Sequence, residues 1–217
     1  MKLSTVKILN ELMKSYPQLT ECEATISNAA QALIYCYQQQ GKLLVCGNGG
    51  SAADSDHIVG ELMKGFRLRR PIDDKIKKKL EEHLPNDTEK FSAMLQNALP
   101  AISLVGQSAL TTAIQNDISG DMVFAQQVFG YGEKTDVLIM LSTSGDSANV
   151  VNAAKVAKLK DVTTIALTGP TGGQLKALCD IAIMVPATET YQVQELHLPI
   201  YHALCAMAEN EFFGIES

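Results

Sequence analysis

A glycine-rich turn, a histidine and a glutamate lie together within residues 45–62, in the stretch VCGNGGSAADSDHIVGEL. The turn follows an apolar, strand-like run and consists of Gly47, Asn48, Gly49, Gly50 and Ser51. Glycines let backbone N–H groups approach a ligand, and the helix expected to begin near Ser51 attracts anions at its N-terminus. The spacing is neither the G-x-G-x-x-G of dinucleotide binders nor a P-loop with its lysine. It therefore indicates a phosphate-binding turn of another kind.

A second polar turn follows a later apolar run, in LSTSGDSANVV. It offers four hydroxyls around Gly145, from Ser142, Thr143, Ser144 and Ser147. A Ser/Thr cluster in this position could simply cap the helix that follows. Four hydroxyls exceed what one cap needs, so the pattern favours a phosphate held by hydroxyls and amides, without a metal or a P-loop lysine.

His57 and Glu61 are four residues apart on the helix predicted after the glycine turn, so they share a face. They could hold one metal ion or act together on one substrate, and the alternative is an ordinary surface contact. The last predicted helix adds Gln194 and His202, which start roughly 12 Å apart along its axis. Either these two converge across a subunit interface, or only one of them serves a given site.

Other polar residues have plainer interpretations. His197 is expected to be a partly buried helix histidine bonded to a neighbour, and His83 an exposed side chain. Residues 67–100 are dense in charge, contain three prolines and predict an insertion with one or two exposed helices. Because Glu81 and Glu82 follow directly, the lysines of this insertion most simply form a solvated helix face: Lys75, Lys77, Lys78 and Lys79.

Five short apolar runs alternate with longer amphipathic segments, which predicts an α/β fold with a parallel sheet covered on both faces. The runs are LLVC from 43, AISLV from 101, DVLIML from 136, TTIALT from 163 and DIAIMV from 180. Helices are predicted at 20–40, 51–65, 107–115, 147–159 and 190–213. Such sheets bind ligands outside the carboxyl ends of their strands, where both polar turns are expected to lie.

The composition limits the function classes. A chain of 217 residues, 46% hydrophobic and 19% charged, can bury one sizeable core, so one domain is expected. The net charge of −6 argues against nucleic acid as a partner, and no apolar run is long enough to span a membrane. Five cysteines without paired spacing fit a reducing compartment, and we expect a cytoplasmic protein.

Four motifs, in order and over most of the chain, resemble the sugar isomerase (SIS) domain family and, within it, the phosphoheptose isomerases: CGNGGSAADSDH, LSTSGDSANVV, LTGPTGG and VQELHLPIYH. The resemblance implies a three-layer flavodoxin-like fold with a five-stranded parallel sheet. It implies a single SIS domain over 1–217, with extra N-terminal helices at 1–40 and the insertion at about 67–100. It also implies a homotetramer that converts sedoheptulose 7-phosphate to D-glycero-D-manno-heptose 7-phosphate through an enediol.

The resemblance also implies roles for individual residues. Glu61 falls on the family's general base and His202 on its general acid. The zinc ligands reported for some members fall on His57, Glu61, Gln194 and His202, so one Zn²⁺ per subunit is expected. The substrate-binding positions fall on Asn48, Gly49, Gly50, Ser51, Asp117, Ser142, Thr143, Ser144, Ser147 and Gln194.

A carboxylate can remove the proton beside a carbonyl, and an imidazole can serve the carbonyl oxygen near neutral pH. Two alternatives stay open: a non-catalytic SIS module that binds a sugar phosphate or a protein partner, and an isomerase of another phosphosugar. The initiator-associating protein of bacterial replication is a relative of the first kind, and by the resemblance it lacks both the glutamate and the second histidine. This chain keeps both, which favours the enzyme.

Overall fold

The computed structural model describes residues 1–215, in which a five-stranded parallel sheet lies between two layers of helices. The strands are β1 (Leu43–Gly47), β2 (Ala101–Ser103), β3 (Val137–Leu141), β4 (Thr163–Thr168) and β5 (Ile181–Met184). Their order across the sheet is β2-β1-β3-β4-β5, the flavodoxin-like order. The predicted fold class is therefore confirmed, and each predicted apolar run coincides with a strand to within two residues at either end.

The helices follow the expected alternation with the strands. They are α1 (Leu3–Ser15), α2 (Glu23–Gln38), α3 (Gly50–Met63), α4 (Asp74–His83), α5 (Thr88–Met94), α6 (Ser108–Asp117), α7 (Val123–Tyr131), α8 (Ala148–Leu159), α9 (Leu175–Leu178) and α10 (Thr190–Phe213). Among residues 1–215, no helix combines the length and the apolar character that crossing a bilayer requires.

Side chains alternate along each strand, and this divides the core in two. Leu43 and Val45 of β1 face a cluster that includes residues of α1, α2, α3 and α10. Leu44 and Cys46 face a second cluster, to which α6, α7 and α8 contribute. The first cluster matters for function, because within it α3 packs directly against α10.

The predicted insertion forms two helices, α4 and α5, which bury none of their residues. Its two ends meet at the body of the protein: Pro71 and Gln96 form an isolated antiparallel bridge, and the Asn97 side-chain amide donates to the Pro71 carbonyl at 2.9 Å. His83 is exposed at the end of α4, as expected. Helices α4 and α5 therefore extend from the protein body, and the chain segments on either side of them are held together by these contacts.

Helix α7 is not among the predicted helices. Its sequence, VFAQQVFGY, is short and rich in residues that are also common in strands, so its periodicity alone does not identify a helix. Packing against α8 decides the outcome, because Val123, Phe124 and Val128 are buried in the second cluster.

Candidate active site

Two polar turns lie side by side at the carboxyl ends of the paired strands β1 and β3. Each turn leads directly into a helix, α3 after β1 and α8 after β3. The residues at the two N-caps, Gly49 and Ser147, make no side-chain capping hydrogen bond. The Ser147 hydroxyl is therefore not a helix cap. Both α3 and α8 begin beyond the carboxyl ends of β1 and β3, the edge at which open parallel sheets have their ligand crevice, and a helix N-terminus there favours an anion.

The serine turn presents its hydroxyls at different depths. Ser142 is buried and its hydroxyl lies 3.3 Å from that of Ser147, whereas Ser144 is exposed and accepts a hydrogen bond from the Asp146 backbone at 3.1 Å. Thr143 is half-buried between them. The predicted phosphate-binding hydroxyls of residues 142–147 thus belong to one turn at the carboxyl end of β3.

The loop LTGPTGG, residues 167–173, packs against the backbone of the serine turn. Gly145 has φ +72°, and a Cβ at this position would collide with the Gly172 carbonyl. Gly169 donates its backbone N–H to the Thr143 carbonyl at 2.9 Å. The close approach explains why this motif is rich in glycine.

Asn48 and Asn149 connect the two turns. Each side-chain amide donates to the oxygen of the other, at 2.8 and 2.9 Å. Ser51, in the first turn of α3, is buried at the same end of the sheet, while Asn48, Gly49 and Gly50 are exposed. The predicted substrate-binding residues of the glycine turn are therefore physically joined to those of the serine turn.

His57, Glu61 and His202 come together between α3 and α10. The His57 Nε2 atom lies 3.1 Å from Glu61 Oε1 and 3.4 Å from His202 Nε2. Partial burial and the neighbouring His57 lower the pKa of His202, which keeps its imidazole neutral near pH 7. One chain thus brings the predicted base and acid to the same imidazole, so this contact does not require a second subunit.

Gln194 lies beside the glycine turn. Its side-chain amide packs on Gly50, where an added Cβ would come within 2.7 Å of the Gln194 Oε1 atom. Gly50 is seven residues before His57 on α3, roughly 10 Å of helix rise. The structure therefore groups Gln194 with the glycine turn and not with the two histidines expected to share a metal ion with it.

Asp117 is the last residue of α6 and is exposed. Its carboxylate accepts a hydrogen bond from the Asn116 side chain at 2.8 Å. Within residues 1–215 it makes no hydrogen bond to either polar turn. Of the predicted substrate-binding residues, it is the one that the structure leaves apart.

Tyr201 and Asp54 are site residues that the sequence prediction missed. The Tyr201 hydroxyl donates to Asp54 Oδ1 at 3.0 Å and lies 3.1 Å from His57 Nδ1. Burial raises the pKa of Asp54, and the Tyr201 hydrogen bond partly opposes this. The only signal in the sequence is the spacing of Asp54, three residues before His57 and thus on the same helix face.

His197 differs from its interpretation as a partly buried, hydrogen-bonded histidine. It is fully buried, and neither ring nitrogen has a hydrogen-bond partner within the described chain, although the Thr168 backbone is close. Burial lowers the pKa of His197 to about 4. It lies near the backbone of Thr168 at the end of β4, and within residues 1–215 it makes no hydrogen bond to either polar turn.

The donor set around His57 has the chemistry that zinc prefers, two imidazoles and a carboxylate. The separations of His57 Nε2 from Glu61 Oε1 and from His202 Nε2, 3.1 and 3.4 Å, are close to the edge of about 3.3 Å in a tetrahedron of zinc ligands. Even so, across residues 1–215 no three His, Cys, Asp or Glu side chains already form a group that could hold a metal ion. The residue types fit zinc, but the side chains as they stand do not converge on it.

Comparison with known proteins gives consistent matches. The SIS domain family matches residues 9–94 and 82–169. The phosphoheptose isomerase of a Nitratiruptor species is 38% identical over 95% of this chain and 97% of its own, and that of Burkholderia pseudomallei (strain 1710b) is 38% identical over 88% and 84%. The structure of a phosphoheptose isomerase from Francisella tularensis superposes with a TM-score of 0.73, at 31% identity over 95% and 93% of the two chains.

Proposed function

The chain belongs to the SIS domain family and, within it, to the phosphoheptose isomerases, and we infer that it interconverts sedoheptulose 7-phosphate and D-glycero-D-manno-heptose 7-phosphate. It is an aldose-ketose isomerase. The observation that carries this conclusion beyond the fold is the convergence of Glu61 and His202 on His57, beside two helix N-termini suited to a phosphate.

The phosphate is assigned to the crevice between the two polar turns. The N-terminus of α8 and the hydroxyls of Ser142, Thr143, Ser144 and Ser147 supply hydrogen bonds, and the N-terminus of α3 supplies a second set of backbone N–H groups. This arrangement binds an anion although the whole chain carries a net charge of −6. The sugar is then directed toward Gln194 and the α3–α10 contact.

Glu61 and His202 are assigned to the proton transfers. Moving a carbonyl between C1 and C2 requires a base that takes a proton from one carbon and returns it to the other, through an enediol. We assign this to the Glu61 carboxylate, and the transfer to and from the carbonyl oxygen to His202. The lowered pKa of His202 keeps its ring neutral near pH 7, and a neutral imidazole offers the carbonyl oxygen one N–H donor and one acceptor nitrogen.

We also propose that His57, Glu61 and His202 hold a Zn²⁺ ion. Support comes from the donor types and from the two donor separations close to a tetrahedral edge. The position of Gln194 on Gly50 favours a sugar contact over a fourth metal ligand. When bound, the metal would polarise the substrate's carbonyl oxygen.

A homotetramer in the cytoplasm completes the proposal. Several large apolar side chains are exposed on the single chain, among them Tyr191 and Leu198 on α10 and Leu159 at the end of α8. Contact with further subunits would cover such side chains. The cysteines, Cys22, Cys36, Cys46, Cys179 and Cys205, are all free, as in proteins of a reducing compartment. Light scattering on the purified protein measures the number of subunits.

The test of the activity is to incubate the purified protein with sedoheptulose 7-phosphate and with a panel of other ketose phosphates in D₂O. Aldose formation from the heptose phosphate, with deuterium incorporated beside the carbonyl, is expected because the proton that the base takes from carbon exchanges with solvent before one is returned to the enediol. Turnover of a different phosphosugar only would redefine the substrate. Binding without turnover of any member would favour the non-catalytic module.

A further inference from the structure

The backbone carbonyl of Glu61 lies in the last turn of α3, where carbonyl groups lack partners within the helix. The helix ends before Lys64, whose backbone is extended. In a longer helix the backbone N–H of Gly65 would donate to the Glu61 carbonyl, but it donates to the Gln96 side chain at 3.0 Å. The residue assigned as the base therefore needs a donor from outside its helix.

Arg70 supplies this donor. Its fully buried guanidinium donates from Nη2 to the Glu61 carbonyl at 3.1 Å and from Nη1 to the Leu62 carbonyl at 2.6 Å. A cation is also favoured at this end of a helix, because the helix dipole is negative there. Since the guanidinium is planar and its donors have a fixed spread, it holds the two carbonyls in one arrangement.

Glu209, on α10, holds Arg70 in turn. Its Oε1 atom accepts from Arg70 Nε at 2.8 Å, and its side chain is almost fully buried. The same carboxylate accepts the backbone N–H groups of residues 66–68, at 2.7 to 3.1 Å. A buried charge that loses its partner is strongly unfavourable, so Arg70 has little freedom to move away from the end of α3.

The side chain of Glu61 has weaker supports than its backbone. Among the described residues, its carboxylate is within hydrogen-bond distance of His57 and Lys64, at 3.1 and 3.4 Å, and both of these side chains are exposed. Exposed side chains and helix ends are the parts of a structure that move most readily. The firm support of the Glu61 position is therefore the bond from Arg70 to its carbonyl.

We propose that Arg70, held by Glu209, is a positioning residue for Glu61, because it fixes the last turn of α3 and with it the place from which the carboxylate takes a proton. The inference deepens the proposed function, on which its meaning for catalysis rests. The phosphate turns lie apart from this contact, since Gly50 begins α3 roughly 16 Å of helix rise before Glu61. Loss of the Arg70 contacts should therefore change kcat and leave KM nearly unchanged.

The first test is Arg70→Lys. Lysine keeps a positive charge for Glu209, but its one nitrogen cannot replace the three guanidinium nitrogens that bind three separate groups. We expect kcat for sedoheptulose 7-phosphate to fall about 10- to 100-fold, since misplacing a reacting group by about 1 Å has an effect of this size. KM should change less than about twofold.

A double-mutant cycle with Glu61→Gln separates positioning from a general loss of structure. A smaller folded fraction would lower kcat by the same factor in both backgrounds. A residue that acts through the Glu61 carboxylate has no further effect once that carboxylate is gone. Arg70→Lys should therefore change the residual kcat of Glu61→Gln less than about twofold.

Hydrogen exchange of the backbone amides tests the inference without turnover. In Arg70→Lys the amides at the end of α3, residues 61–63, should exchange about 10-fold faster, whereas those near its beginning, residues 53–56, should keep their wild-type rates. Arg69→Lys is the matched control, because Arg69 is exposed and donates to the Ala93 carbonyl at 3.3 Å. It should change neither the exchange rates nor the kinetic constants.

If Arg70→Lys does not fold, Arg70→Met combined with Glu209→Gln takes its place, because it removes both buried charges and keeps an oxygen acceptor for the loop N–H groups. An equal loss of kcat in both backgrounds would overturn the inference, as would an unchanged kcat or unchanged exchange at residues 61–63. A wild-type protein that isomerises no sugar phosphate would refute the proposed function. Faster exchange confined to the end of α3 would then still assign to Arg70 the role of holding Glu61.

Discussion

His57 and His202 face each other through their Nε2 atoms, 3.4 Å apart, although 145 positions separate them in the chain. The contact exists because α3 and α10 pack side by side along their length. Gly50 and Gln194 meet near the beginning of the two helices, and the loop after α3 meets Glu209 near the end of α10. The geometry of the candidate site therefore depends on how these two helices are aligned.

Replacing the base tests the assignment of Glu61. Glu61→Gln keeps the size of the side chain but cannot accept the substrate proton, so kcat for sedoheptulose 7-phosphate should fall about 10²- to 10⁴-fold with little change in KM. Glu82→Gln, on the exposed face of α4, is the control and should leave both constants unchanged. Near wild-type turnover by Glu61→Gln would end the proposed mechanism.

Removing one hydroxyl from the serine turn tests the phosphate site. Ser144→Ala should weaken the binding of phosphorylated ligands by about 1 to 3 kcal/mol, measured by calorimetry, and leave folding nearly unchanged because Ser144 is exposed. Unphosphorylated sedoheptulose serves as the comparison, since its affinity should not change. Equal affinity of wild type and variant for the phosphorylated sugar would show that the phosphate does not bind at Ser144.

Breaking a buried ion pair should destabilise the loop beside the site. Glu209 accepts hydrogen bonds from the backbone N–H groups of Phe66, Arg67 and Leu68, and it pairs with fully buried Arg70 at 2.8 Å. Glu209→Gln leaves the Arg70 charge uncompensated and should lower the free energy of unfolding in urea by about 3 to 5 kcal/mol.

The matched control for that experiment is Asp74→Asn, which breaks the exposed pair between Asp74 and Lys77. Water already solvates both groups, so the urea midpoint should not change measurably. Equal effects of the two substitutions would show that the Glu209 pair is no more important for stability than a surface contact.

The two helices of the insertion, α4 and α5, should be dispensable for folding. Helices α4 and α5 bury no side chain, and the bridge between Pro71 and Gln96 already brings the ends together. A variant in which a short glycine-serine linker replaces 74–94 should keep its thermal midpoint and its kcat. A large loss of either would mean that the segment contacts something outside the single chain described here.

The stability of the protein should depend on the charge of His197. The pKa of the buried ring is lowered to about 4 in the folded state, against about 6.5 in the unfolded state, so the unfolded chain binds more protons between these values. The contribution of the neutral ring to stability is therefore complete above about pH 6.5 and falls as the pH drops toward 4, by up to about 3 kcal/mol.

Urea unfolding at several pH values measures this dependence. His197→Leu should remove most of the loss between about pH 6.5 and 4, because the substituted side chain takes up no proton in the unfolded state. His83→Gln, at an exposed position, should leave the pH dependence of the wild type intact. An unchanged pH profile in His197→Leu would assign the acid sensitivity to other groups.

The sheet and most helices are predictable because their patterns are local. Each strand is a short apolar run between polar turns, and α10 is a long, largely apolar segment that continues through Pro199. The glycine and serine turns are recognisable from residue type alone, and the parallel sheet then dictates that they lie at the same edge.

The rest depends on contacts between helices that no local pattern records. The position of Tyr201 against Asp54, and that of Gln194 on Gly50, follow from the alignment of α3 with α10. The complete burial of His197 follows from the depth at which α10 packs on the sheet. Sequence spacing predicts the separation of roughly 12 Å between Gln194 and His202 but not which residue of α3 each one meets.

The paired amides of Asn48 and Asn149 have a consequence for the rate and cost of substrate capture. The two asparagine side chains already hydrogen-bond to each other in the folded protein. The distance between the two helix N-termini is therefore fixed during folding and does not have to change when a ligand binds. A sugar phosphate then loses its own freedom on binding, while the crevice loses little. We therefore expect the ligand to bind a preformed site in one step. The observed binding rate should rise in proportion to ligand concentration, and no slower conformational change should follow.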